Sequence, residues 1–277
     1  MRNPVLKYYY LRSITWRLGR RLYTLARRDS GNDPRSNGEY WLIDTVLQSK
    51  SGNRPMALVD VGANTGEWTA YSAHALLHAK LAGFIHVFEP AGLTFSYLKD
   101  RFKLEKMINL NHLALSDTTG EADFYIVGEL AGTNSLHFAD SHQTERVRLA
   151  TLDAYMQEHN LAHVDMVKCD TEGHDLCVLR GAETAMREGK IDVWQFEYNY
   201  RWIANRAFLK DVFDWVADKP YRLGKLFNGG IELFDVWHPE LERFFEANYV
   251  LVRRSSALEA LCQNVRFNAS NALAPVA

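Results

Sequence analysis

The chain has 277 residues, 47% of them hydrophobic, which is enough to bury one sizeable core in one large domain or a domain with an appendage. A net charge of -2 and a pI near 6.6 argue against general nucleic-acid binding. Three cysteines without a CxxC pair indicate neither a disulfide framework nor a cysteine zinc site, and they fit a reducing cytoplasm. No stretch approaches the roughly 20 apolar residues that span a bilayer, and arginines interrupt the place where a signal peptide needs its apolar region.

The first predicted element is a basic amphipathic helix, followed by a turn-rich loop over residues 28–40, within an N-terminal segment of residues 1–50. Residues 1–28 contain no acidic side chain, and their basic ones are Arg2, Lys7, Arg12, Arg17, Arg20, Arg21, Arg27 and Arg28. The arginines fall mainly opposite one apolar stripe, which consists of Leu11, Ile14, Leu18, Leu22 and Leu25. The stripe could pack on the main domain or on a sister chain in a homo-oligomer, or it could lie on an anionic membrane at its inner surface.

From about residue 55 onward, short β-rich runs alternate with helix-length amphipathic runs, which predicts parallel βαβ units. Strands are predicted at 56–61, 84–88, 108–114, 164–169 and 191–197, with an additional one at 120–127. Asn228-Gly229-Gly230 between two strand-like runs predicts an antiparallel hairpin. The predicted fold class is therefore α/β, with a mostly parallel Rossmann-like sheet of the class I methyltransferase outline in a domain of residues 51–255. Residues 256–277 show no firm pattern.

A glycine loop joins the first predicted strand to a helix in the stretch "VDVGANTGEW". No lysine follows Gly66, which argues against a P-loop, and a dinucleotide loop would need glycine in place of Asn64 and Glu67. S-adenosylmethionine has no phosphate and carries positive groups, so acidic residues near the loop favour it. We therefore expect Asp60, Gly62, Asn64 and Gly66 to contact this cofactor, although a structural turn without a ligand remains an alternative.

Glu89 closes the second predicted strand, where an acidic residue accepts hydrogen bonds from ribose hydroxyls. Nicotinamide enzymes place an acid similarly, so Glu89 indicates an adenosine ligand without choosing between cofactors. Two other classes of protein stay open. A nicotinamide-dependent sugar oxidoreductase or epimerase should have glycine at position 64. A noncatalytic nucleotide-binding protein should lack acidic residues at positions 170 and 197, where this chain has Asp170 and Glu197.

Six stretches carry a family resemblance between about residues 55 and 200, in this order: "VDVGANTGEWT", "VFEP", "ALSD", "TLD", "VKCDTEGHDLCVLRGA" and "WQFEYN". Together they closely resemble the FkbM family of S-adenosylmethionine-dependent methyltransferases, and the lysine-x-Asp-x-Glu-Gly segment is the most specific part. The resemblance implies a class I Rossmann-like fold and O-methylation of sugar or polyketide hydroxyls. It implies that Asp60, Gly62, Asn64, Gly66 and Glu89 contact the cofactor. It also implies that Asp170 and Glu172 are active-site residues. We also predict Ser116, within "ALSD", and Asp170 as cofactor contacts.

Asp170 and Glu197 end adjacent predicted strands at the carboxyl edge of the sheet, where open α/β sheets bind ligands. We predict Asp170, His174 and Glu197 as catalytic residues, one of which removes the proton from an attacking hydroxyl. The alternative is that Asp170 and Glu197, with Asn199, hold a divalent ion such as Mg²⁺ that acidifies the hydroxyl. Direct base chemistry is the favoured interpretation. Noncatalytic roles stay open for both residues. Asp170 could serve to bind the cofactor without taking part in the reaction, and Glu197 could form an ion pair with a nearby basic side chain.

These predictions combine into an S-adenosylmethionine-dependent O-methyltransferase of the cytoplasm. The predicted acceptor is a hydroxyl group of a sugar in a surface polysaccharide or glycoconjugate, and no nucleic-acid partner is expected.

Overall fold

The computed structural model describes residues 4–29, 31–128, 134–136 and 143–276, with side chains from residue 8 onward. Arg2 and the side chain of Lys7, two members of the basic N-terminal pattern, lie outside this description. Within the described ranges, no helix is both long enough and apolar enough to cross a bilayer.

Helices and strands alternate along most of the described chain. The helices are α1 (Pro4–Ala26), α2 (Glu39–Gln48), α3 (Glu67–His78), α4 (Gly92–Arg101), α5 (Leu152–Glu158), α6 (Asp175–Arg180), α7 (Glu183–Arg187) and α8 (Leu209–Val216). The first seven strands are β1 (Met56–Val61), β2 (Gly83–Phe88), β3 (Ile108–Asn111), β4 (Ala114–Leu115), β5 (Gly120–Ile126), β6 (Gln143–Ala150) and β7 (Val164–Cys169). The remaining strands are β8 (Ile191–Tyr198), β9 (Tyr221–Phe227), β10 (Gly230–Phe234), β11 (Ala247–Arg253), β12 (Gln263–Phe267) and β13 (Leu273–Pro275). Three short 3₁₀ helices cover Tyr200–Ile203, Pro239–Leu241 and Glu259–Leu261.

The central sheet has ten strands in the order β13-β12-β10-β9-β11-β8-β7-β1-β2-β3. Strands β3, β2, β1, β7 and β8 are parallel to one another, whereas β11 runs antiparallel between β8 and β9. The hairpin predicted around Asn228 is the antiparallel pair β9 and β10. The mostly parallel sheet with antiparallel strands from the C-terminal part confirms the α/β class and the class I methyltransferase outline.

Two predicted strands have different surroundings from those the sequence indicated. The strand predicted at 108–114 is divided, because β3 ends at Asn111, whose side-chain amide donates to the Val87 carbonyl oxygen. Residues 114–115 then form β4, which belongs to a separate three-stranded sheet. In this sheet β6 lies between β4 and the additional strand β5. This small sheet covers the carboxyl side of β2 and contributes Phe124 to the site described below.

The two ends of the chain are more ordered than their sequence patterns indicate. Helix α2 buries Leu42 and Ile43 in the same apolar cluster as Leu58 and Val193, so the segment of residues 1–50 ends in a helix packed on the domain core. At the other end, β12 pairs in parallel with β10 at the edge of the central sheet. Only Val265 of β12 is buried, which is why this edge strand has a weak sequence signal.

Candidate active site

The loop from β1 to α3 has the backbone geometry of a tight ligand-binding turn. Gly62, Asn64 and Gly66 adopt positive φ angles of 76°, 49° and 80°. A Cβ atom at position 62 would overlap with the Asp170 carbonyl oxygen, and one at position 66 would lie 2.6 Å from the Phe102 ring. Asparagine tolerates this left-handed conformation better than other side chains that have a Cβ. The conformation of the loop therefore depends on these residue types. They allow the turn to pack closely against the end of β7.

Glu89 lies at the carboxyl end of β2 and is held by the same loop. Its carboxylate accepts hydrogen bonds from the backbone amides of Asn64 at 3.0 Å and Ala91 at 2.9 Å. Burial raises the pKa of Glu89 to about 7, although these two amide hydrogen bonds lower it. Each carboxylate oxygen can accept a further hydrogen bond, so Glu89 can bind a pair of hydroxyl groups.

Two cavities meet at this loop. The inner cavity is enclosed between the loop, the end of β2 and the small sheet, and its lining includes Gly62, Asn64, Glu89, Leu115, Phe124 and His174. The open cavity has a volume of about 710 Å³, and its lining includes Asp33, Glu39, Tyr40, Lys168, Glu197 and Arg201. Gly62, Asn64, Asp170 and Glu172 line both. This shared wall is where a molecule in one cavity can react with a molecule in the other.

Asp60 lies under the loop and lines neither cavity. It is fully buried, accepts a hydrogen bond from the Thr69 hydroxyl at 2.5 Å, and has one oxygen 3.8 Å from the Lys168 ammonium. Gly66 likewise lines neither cavity and packs against Phe102. These two predicted cofactor contacts therefore support the loop from below, whereas Gly62, Asn64 and Glu89 face the inner cavity.

His174 and Ser116 form a pair at the inner cavity. The Nε2 atom of His174 lies 2.9 Å from the Ser116 hydroxyl, and both residues are buried. His174 lines the inner cavity, in contrast to Glu197, which lines the open one. The structure thus places the predicted catalytic histidine with the predicted cofactor contacts.

Three carboxylates converge at the shared wall and the open cavity. Asp170, Glu172 and Glu197 each have a side-chain oxygen within 4.8 Å of those of the other two. Burial and the nearby carboxylates, Asp170 first among them, raise the pKa of Glu197 to about 10. The same two causes raise the pKa of Glu172 to about 8, although Arg201 lies 2.8 Å away and opposes the shift. Such a cluster holds a proton or attracts a cation at neutral pH.

Lys168 supplies the positive charge behind this cluster. Its ammonium lies 3.3 Å from an oxygen of Asp170 and bridges towards Asp60. Burial acts to lower the pKa of Lys168, but Asp170, Asp60 and Glu39 outweigh it and raise the pKa above its usual range. Lys168 therefore stays charged and fixes the position of Asp170.

Asn199 has a structural role in the described residues. Its side-chain oxygen accepts a hydrogen bond from the Arg201 backbone amide at 2.8 Å and so caps the 3₁₀ helix Tyr200–Ile203. Only 2% of the residue is exposed. Glu172, which was not among the predicted metal ligands, is the third acid beside Asp170 and Glu197. Three carboxylate oxygens are a suitable donor set for a hard cation such as Mg²⁺, although Arg201 already compensates part of their charge.

The N-terminal segment contributes a wall of the open cavity that was not predicted as a site. Glu39 accepts hydrogen bonds from the side-chain amides of Asn37 at 2.5 Å and Asn248 at 3.2 Å. Burial raises the pKa of Glu39, and Lys168 opposes that shift. Because Glu39 is more than 100 residues from the acids of β7 and β8 in sequence, no local spacing brings it to the site.

The raised pKa of Glu197 fixes the sign of a pH effect on stability. The folded protein keeps this proton up to about pH 10, whereas the unfolded chain releases it near 4.5, so stability falls as pH rises between these values. One such proton corresponds to about 1.4 kcal/mol per pH unit. We expect Glu197→Gln to flatten this fall in urea unfolding across the neutral and alkaline range. The exposed Glu105→Gln serves as control, and an unchanged slope in Glu197→Gln would mean that Glu197 is ionised in the folded state.

The family comparison covers the part of the chain from β1 to β9. The sequence model described as "Methyltransferase FkbM domain" matches residues 60–223, which begin at Asp60 and include the whole β7 and β8 region. A comparison with curated proteins gives no match.

Several solved methyltransferase structures are similar to this chain at low identity. A putative rRNA methylase from Clostridium thermocellum is 10% identical, with a TM-score of 0.44 and coverage of 80% of this chain and 98% of that one. A SAM-dependent methyltransferase from Agrobacterium tumefaciens is 11% identical, with a TM-score of 0.42 and coverage of 78% and 61%. Precorrin-6y C5,15-methyltransferase from Geobacter metallireducens is 10% identical, with a TM-score of 0.38 and coverage of 77% and 89%. Because the FkbM domain model matches more than half of the sequence, this chain belongs to the FkbM family of S-adenosylmethionine-dependent methyltransferases.

Proposed function

We propose that the protein transfers a methyl group to a hydroxyl oxygen of a sugar, in a surface polysaccharide or a related glycoconjugate. The observation that supports this most strongly is the wall shared by the two cavities, where Asp170 faces both. The inner cavity, with the loop and Glu89, is the proposed site of one end of the cofactor, and its volume of about 50 Å³ requires the rest of the molecule to extend past the shared wall into the open cavity. The open cavity is the proposed acceptor site.

S-adenosylmethionine supplies a methyl group on a positively charged sulfonium sulfur. Asp170, held by Lys168 and partly exposed, is the proposed general base that accepts the proton of the attacking hydroxyl. When bound, the cofactor would supply the methyl carbon and leave as S-adenosylhomocysteine, and the Asp170 carboxylate would take the proton of the acceptor hydroxyl. Glu197, protonated at neutral pH because of its raised pKa, donates a hydrogen bond to Asp170 and so orients the base towards the acceptor. Alignment of this kind is worth several kcal/mol of the barrier.

The lining of the open cavity favours a neutral polyol as the acceptor. It contains six acidic residues, Asp33, Glu39, Glu67, Asp170, Glu172 and Glu197, and three basic ones, Arg35, Lys168 and Arg201. Carboxylates and guanidinium groups form hydrogen bonds with sugar hydroxyls. Even though Glu172 and Glu197 hold protons at neutral pH, the lining has no excess of positive charge. This disfavours a polyphosphate backbone, because nucleic-acid binding depends on neutralising phosphates with basic side chains. We therefore place sugars before RNA as the acceptor class.

Metal dependence separates the two mechanisms that the acid cluster allows. If Asp170 is the base, treatment with EDTA leaves the rate of methyl transfer unchanged, which is the result we expect. If the cluster of Asp170, Glu172 and Glu197 holds a divalent ion that acidifies the hydroxyl, EDTA abolishes transfer and added Mg²⁺ restores it. Label transfer from S-adenosylmethionine to the acceptor measures both outcomes.

A further inference from the structure

Helix α1 leaves its apolar stripe uncovered. Leu11, Leu18, Leu22 and Leu25 are each more than half exposed. Soluble proteins rarely expose a contiguous apolar surface of this kind unless it binds something.

The helix is attached to the domain through a different face. The Tyr23 hydroxyl donates to the Glu240 carboxylate at 2.6 Å, and the Arg20 guanidinium lies 5.4 Å from the centre of the Phe245 ring. At about 100° per residue, Arg20 and Tyr23 lie on the side of the helix opposite to Leu18 and Leu22. The leucine stripe therefore points away from the rest of the chain that the structure describes.

Uncompensated positive charge borders this stripe on both sides. At the same helical periodicity Arg12 lies beyond one edge of the stripe, and Arg17 and Arg21 lie beyond the other. None of these three arginines has a carboxylate partner among the described residues, whereas Arg27 pairs with Asp29 and Arg28 with Glu232. The exposed face thus combines an apolar stripe with a cationic border.

We propose that α1 docks the enzyme on an anionic lipid bilayer, lying in the interface. The leucines enter the boundary of the acyl chains, and Arg12, Arg17 and Arg21 reach the anionic headgroups. A second copy of this chain fits the face less well, because pairing two such stripes would bring arginines together without acids to neutralise them. The proposal goes beyond methyl transfer and does not depend on it. It implies that the enzyme works at a membrane surface.

Vesicle sedimentation of the full 277-residue protein tests this directly. We expect it to pellet with vesicles of phosphatidylcholine mixed with phosphatidylglycerol, and to stay in solution with phosphatidylcholine alone. The variant with Arg12→Gln, Arg17→Gln and Arg21→Gln should bind about tenfold more weakly or worse, since each basic residue near an anionic surface contributes measurably. A matched control, Lys99→Gln with Lys103→Gln and Lys106→Gln, removes three exposed charges elsewhere and should bind as wild type.

The apolar stripe has its own variant, Leu18→Gln with Leu22→Gln, which should also reduce pelleting and leave the unfolding temperature unchanged because both side chains are exposed. The proposal is overturned if wild type stays in solution with both vesicles, or if the lysine control loses as much binding as the arginine variant. It is also overturned if ultracentrifugation shows a dimer that the leucine variant disperses, together with no pelleting. Methyl transfer plays no part in this readout, so a failure here leaves the proposed reaction standing.

Discussion

Asp170→Asn should lower kcat for methyl transfer by about 10²- to 10⁴-fold, the range that general acid–base catalysis contributes. Asparagine keeps the size of the side chain and its hydrogen-bonding oxygen, but its amide cannot accept the proton of the acceptor hydroxyl. The partner Lys168 also loses one of its carboxylates. Transfer of a labelled methyl group at saturating cofactor measures the effect.

The matched control for this variant is Asp214→Asn. Asp214 is an exposed acid that pairs with Lys210 on α8 and lines neither cavity, so its loss should leave the rate unchanged. Calorimetry with S-adenosylhomocysteine should show that Asp170→Asn still binds the cofactor product within about tenfold of wild type, a difference of about 1.4 kcal/mol. Full activity in Asp170→Asn would mean that another group removes the proton of the acceptor hydroxyl, and it would contradict Asp170 as the base.

Gly62→Ala should weaken binding of S-adenosylhomocysteine by at least about 100-fold, or about 2.7 kcal/mol. Two effects add at this position. The positive φ of 76° strains any residue with a Cβ, and that Cβ would overlap the backbone oxygen of Asp170, which cannot move without shifting the end of β7. The loop and the shared wall are therefore both displaced. Titration calorimetry of the purified variant gives the affinity.

Gly229→Ala is a control that separates strain from overlap. Gly229 also has a positive φ, of 90°, but an added Cβ would have no heavy atom within 4 Å in the hairpin turn between β9 and β10. It should cost about 1 kcal/mol of stability and leave cofactor affinity unchanged. If Gly62→Ala binds like Gly229→Ala, the overlap with Asp170 has no functional consequence and the loop is not the cofactor site.

The glycine loop shows why some site residues could be predicted from the sequence. A tight strand-to-helix turn needs residues that tolerate positive φ at fixed spacing, so Gly62, Asn64 and Gly66 carry a local signal. Glu89 is equally local, because it ends the next strand of the same βαβ unit. The FkbM resemblance added Asp170 and Glu172, whose chain segment has a specific pattern.

The positions of other residues depend on tertiary contacts that no spacing encodes. Glu67 stands where a dinucleotide loop would need glycine, and the fold places Arg101 2.8 Å from its carboxylate, which neutralises part of the charge. Glu39 reaches the open cavity only because α2 packs on the domain. His174 has the residue type of a base, but the fold places it beside Ser116. Pairings between distant parts of the chain decide each of these cases.

The strands at the C-terminal edge of the sheet show a similar limit for the fold. Strand β12 has one buried residue out of five, so neither alternation nor an apolar run marks it, and only its pairing with β10 makes it a strand. The central strands β1 and β7 are buried at all six positions, and most of their residues are apolar. Burial on both faces is thus what made the core of the fold predictable.

The most direct test of the central claim is incubation of the wild-type protein with labelled S-adenosylmethionine and a panel of glycans and RNA, followed by mass analysis of every component. The account predicts that a glycan gains an O-methyl group on a sugar hydroxyl, and that Asp170→Asn loses this product while Asp214→Asn keeps it. Label in RNA with none in the glycans, or equal product from wild type and Asp170→Asn, would contradict it.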